Sequence, residues 1–91
     1  MKLSDILSVL EEMAPLGYAE DFDNVGLLVG NPNQEIDGVL VCHDALESVI
    51  EEAISKKCNL VVCFHPILFS GIKKITGKNY VERAILKAIK N

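Results

Sequence analysis

The sequence predicts an α/β fold: a helix, two strands that could pair as a hairpin, and then a strand–helix–strand unit closed by a final helix. Three observations carry this. Apolar residues recur at helical spacing in three separate stretches. Two valine-rich runs, 38–42 and 60–65, flank the middle stretch. The 91 residues are 49% apolar but only 5% aromatic, which suits an aliphatic core of one small domain and leaves no room for a second.

The first helix is read from Leu3, Ile6, Leu7, Leu10 and Met13, with Pro15 stopping the pattern. An acidic, irregular stretch leads to VGLLVG at 25–30, read as a strand. Asn31, Pro32 and Asn33 are turn formers, so 25–30 and 38–42 are expected to lie side by side. Ala45, Val49, Ile50, Ala53 and Ile54 then describe the second helix, ending at Lys56 and Lys57, where cations suit the carbonyl end. In the next strand, Leu60–His65, two adjacent valines favour an extended backbone. Pro66 keeps His65 extended, because the residue before a proline is pushed out of helical geometry. Val81, Ala84, Ile85, Ala88 and Ile89 form the face of the last helix, with Asn79 and Glu82 as its capping pair.

A strand, a helix and a second strand in that order make parallel neighbours whose carboxyl ends share one sheet edge. That edge is where ligands bind in open α/β folds. It collects His43, Asp44 and His65. His65 can ligate a divalent cation, carry a proton near neutral pH, or hydrogen-bond a loop. His43 can be a ligand, a donor behind a ligand, or an exposed loop residue. Asp44, three residues before Glu47, has the spacing of a helix cap and is also a candidate for lining the cleft. Asp23 and Asn24 either line the same cleft or satisfy loop amides. Gly26 and Gly30 serve backbone geometry, because GLLVG lacks phosphate-loop spacing. Lys73, Lys74 and Thr76 follow His65 and read either as contacts for an anionic substrate or as a solvated basic loop.

A net charge of −4 argues against nucleic acid as a partner. Cys42, Cys58 and Cys63 are odd in number and lack a CxxC spacing, so they read as reduced, buried thiols of a cytoplasmic protein. Acids within the first helical pattern exclude a secretory leader, and no apolar run reaches membrane-spanning length.

Three segments, YAEDFDNVGLLVG at 18–30, VLVCHDALESVIEEAI at 39–54 and the stretch from Asn59 to Asn91, resemble the N-terminal part of the NIF-three-like family, whose members are often named homologs of GTP cyclohydrolase 1 type 2. The resemblance implies that residues 1–91 are the N-terminal half of a larger α/β domain. It also implies a pair of divalent metal ions (zinc, iron or manganese), ring-shaped homo-oligomers that are often hexamers, and metal-activated water acting on a nucleotide-like substrate. His65-Pro66 matches the end of that family's His-His-Pro motif, while Phe64 stands at the first histidine, and the remaining ligands would fall beyond Asn91. On this reading His65 is a metal ligand, His43 a candidate substitute for the missing one, and the chain alone inactive. The other reading open at this point is a non-enzymatic interaction or regulatory module with a structural or vestigial metal site. A last helix with no further strand to pair with also suggests a truncated domain.

Overall fold

A computed structural model describes residues 1–19, 24–68 and 72–91. Helix α1 spans Leu3–Met13, and a short 3-10 turn follows at Leu16–Tyr18. Strand β1 is Val39–Asp44, helix α2 Glu47–Ser55, strand β2 Leu60–His65 and helix α3 Tyr80–Lys90. The two strands pair in parallel with a constant offset, Val39 opposite Leu60 through to Asp44 opposite His65. Helix α2 packs on both strands and on α3.

Buried aliphatic residues come from all three helices: Leu3, Ile50, Ala53, Ala84 and Ile85. The small residues Ala53 and Ala84 let α2 and α3 approach closely. Glu47 on α2 adds an ion pair to Arg83 (3.3 Å) and a second to Lys87 (3.5 Å), both on α3. Helix α1 is anchored through its backbone instead. The Leu3 and Ser4 amides, which have no intrahelical partner, donate to the carbonyls of Gln34 and Pro32, both at 2.8 Å. The Ile36 amide returns a bond to the Met1 carbonyl at 2.8 Å. Asn31 fixes the preceding turn by accepting from the Asn33 amide at 2.9 Å.

Two expectations from sequence are corrected. Residues 25–30 form no strand and no hairpin with β1: Gly26 and Gly30 adopt φ of +98° and +132°, which breaks the pleat at both ends of the aliphatic run. Helix α2 begins at Glu47 with Leu46 as its cap residue, and Asp44 is the last residue of β1 rather than a cap. The N-terminal helix, the parallel strand–helix–strand unit and the Asn79 cap of α3 match the expectation.

Candidate metal centre at the strand ends

Parallel pairing carries both strands to a common edge, and each ends in a ring-bearing residue followed by a polar one: His43-Asp44 on β1, Phe64-His65 on β2. Asp44 and His65 are direct partners across the ladder. One carboxylate oxygen of Asp44 lies 2.6 Å from His65 Nδ1 and the other 3.4 Å from His43 Nδ1. The His65 contact, followed by that of His43, holds the Asp44 carboxyl below the usual carboxylate range.

The rings interlock as well. His43 stacks on Phe64 with centroids 5.2 Å apart and planes 21° from parallel. Against His65 it stands edge-on at 4.4 Å. A ligand atom from each of His43, Asp44 and His65 falls within 4.8 Å of the others. Two imidazoles and a carboxylate suit zinc, iron or manganese by donor type, and all three side chains are reachable from solvent, at 67, 49 and 56% exposure.

Just behind the site, Cys42 faces Cys63 across the ladder, each free and half-buried. Burial pushes both thiols up, so they remain protonated at neutral pH and compete poorly for a cation that needs thiolate.

Of the residues singled out from sequence that the structure describes, His43, Asp44 and His65 converge and the others do not. Asn24 donates from its side-chain amide to the Leu68 carbonyl and so ties down the chain after β2 instead of satisfying loop amides. Asp23 lies outside the described residues. Lys73 and Lys74 are exposed, and the Thr76 amide is engaged by Glu82 at 3.0 Å. Sequence reasoning missed the Phe64–His43 stack and the double role of Asp44. The available signal was the repetition of a ring-plus-polar pair at both strand ends.

An apolar cavity of about 870 Å³ runs along β2 between α1 and α3, lined by Leu7, Leu27, Val62, Phe64, Ile85 and Ile89 among others. His43, Asp44 and His65 are not part of its wall. Among the described residues no helix is long and apolar enough to cross a membrane.

The DUF34/NIF3 (NGG1p interacting factor 3) family profile matches residues 1–91, the whole chain. This chain belongs to the DUF34/NIF3 family. It is 41% identical over 91 residues to the GTP cyclohydrolase 1 type 2 homolog of Clostridium acetobutylicum, covering 100% of this chain and 34% of that protein. A crystallised Staphylococcus aureus protein superposes with a TM-score of 0.94 at 37% identity, over 99% of this chain and 29% of that one. A Bacillus cereus protein related to NIF3 superposes with a TM-score of 0.92 at 32% identity, over 99% of this chain and 25% of that one. The chain thus spans about a third or less of the length of these DUF34/NIF3 relatives.

Proposed function

We propose that this chain supplies the imidazole side of a divalent-metal centre in a hydrolase-like cytoplasmic protein, which acts on a nucleotide-like substrate in the manner its GTP cyclohydrolase-named relatives suggest. The observation that carries this reading is the convergence of His43, Asp44 and His65, three donors within 4.8 Å at a solvent-open strand edge. Bound there, a divalent ion would supply water activated at neutral pH and charge stabilisation for attack on a heterocyclic carbon. His65 and His43 would hold the ion, while Asp44 orients the rings. Further donors are expected from sequence outside these 91 residues or from another subunit of a homo-oligomer.

Elemental mass spectrometry of the tag-free chain and of His65→Ala tests it. Near-stoichiometric zinc, iron or manganese, lost in the variant, is the expected result; metal-free protein in both rejects the site. For the hydrolase reading, the protein of relatives' length should release formate from GTP, and a chelator should abolish the release.

Phe64 favours a second reading, an interaction module with a structural metal. Its ring has no lone pair for a cation and is 76% exposed at the strand end. Metal retention without turnover in the longer protein would select this alternative.

A further inference from the structure

We infer that Asp44 is a positioning residue shared by both imidazoles: it holds His43 and His65 in the Nδ1–H tautomer, so that each ring keeps its Nε2 lone pair for a cation. This rests on the metal reading above and deepens it.

The argument begins with what a carboxylate can do. Ionised, it only accepts hydrogen bonds, so a neutral imidazole whose Nδ1 sits against it must carry its proton there and keep its lone pair on Nε2. Asp44 assigns one oxygen to each ring, at 2.6 Å for His65 and 3.4 Å for His43. Backbone register fixes this pairing, since Asp44 is the ladder partner of His65 and the chain neighbour of His43.

Phe64 completes the device. Its ring lies against one face of His43, and the His65 ring meets His43 edge-on, so the His43 imidazole is held from two sides. Four residues from two strand ends therefore act as one unit, with two ligands, one shared acceptor and one apolar platform. The donor set of two imidazole nitrogens selects cations of borderline softness such as zinc, cobalt or iron over calcium or magnesium.

Two measurements on the full chain test this. Long-range proton–nitrogen NMR of the metal-free protein reads the tautomers directly. Both rings are expected as Nδ1–H in the parent protein, and Asp44→Ala should release at least one to the Nε2–H form. A parent protein with either ring as Nε2–H overturns the inference. Cobalt titration followed by visible absorption provides the second readout. Asp44→Asn and Asp44→Ala should weaken binding about 10- to 100-fold, the range expected for a group behind a ligand, with the cobalt spectrum unchanged at saturation. His43→Ala and His65→Ala should each abolish that spectrum.

Unchanged affinity in both Asp44 variants overturns the inference while leaving the metal site standing. An altered spectrum at saturation makes Asp44 a ligand and overturns it too. If both histidine variants bind cobalt as the parent does, the metal reading fails and the inference falls with it.

Discussion

Glu82 is buried, at 7% exposure, and its surroundings explain how the chain between β2 and α3 is fastened. One carboxylate oxygen accepts from the Thr76 amide at 3.0 Å and from the Lys78 amide at 3.2 Å. These bonds, that of Thr76 foremost, hold the carboxyl below its usual range. With the folded-state value depressed, Glu82 stabilises the fold at pH values above the ordinary glutamate pKa of about 4.3. The contribution fades as pH falls through the lower folded value. Glu82→Gln should therefore flatten the fall in Tm on acidification from pH 5 downward, read by differential scanning fluorimetry. Parallel losses in parent and variant would show that Glu82 is not the source. Half of this was legible from the spacing of Asn79 and Glu82. Asn79 does cap α3 by accepting from the Glu82 amide at 2.9 Å. The Glu82 side chain instead reaches the preceding loop, a choice made by tertiary placement that spacing does not encode. Asp44 shows the same limit: its distance from Glu47 resembles a cap, but the ladder partner it acquires is a histidine 21 positions away.

At the scale of elements, α2 is the helix with the poorest ends. Leu46 at its start offers no capping side chain. Its other end closes in a left-handed turn, in which the Cys58 amide donates to Ala53 (2.8 Å) and the Lys57 amide to Ile54 (3.0 Å). That pattern satisfies two orphan carbonyls and places the intervening residue at positive φ, a position glycine usually fills. Here Lys57 fills it, at φ 60°. A side chain in this region costs about 1–2 kcal/mol, partly offset because glycine also loosens the unfolded chain. Lys57→Gly should stabilise the protein by about 1 kcal/mol, seen as a higher urea midpoint with an unchanged slope; an equal or lower midpoint would refute the strain argument. The lysines were legible as a helix end, although as charges near the carbonyls, whereas the backbone conformation they adopt was not. The reverse error occurred at 25–30, where the aliphatic run suggested a strand and two glycines at positive φ decided otherwise. Leu60–His65 was read correctly to both ends because its valines, its apolar continuity and Pro66 all pointed the same way.

The whole molecule exposes more surface than its size warrants. A folded monomer of 10.0 kDa is expected to present about 5,200 Å², whereas this chain presents 6639 Å². The excess of roughly 1,400 Å² on one chain exceeds the about 800 Å² that each partner contributes to a standard protein–protein interface. Much of the exposed surface is aliphatic: Val41 is 76% exposed and Val39 45% on β1, Met13 76% on α1 and Ile89 63% on α3. A two-stranded parallel sheet adds two unpaired edges, since β1 and β2 each have a single neighbour among the described residues. Apolar cavity, bare sheet face and free edges together favour association with a covering surface. In a solution of this chain alone, only another copy is present to provide it. Sedimentation velocity should therefore give a weight-average mass above 10.0 kDa that rises with concentration. Val41→Lys should shift the distribution toward monomer by charging the sheet face that Val41 shares with His43, two residues further along β1. A single monomeric boundary from low micromolar concentration up to the solubility limit would show that the excess surface is tolerated by the isolated chain. Alternatively, association that Val41→Lys leaves untouched would move the interface from the sheet face to the cavity along β2, where Leu27 or Ile89 becomes the residue to charge.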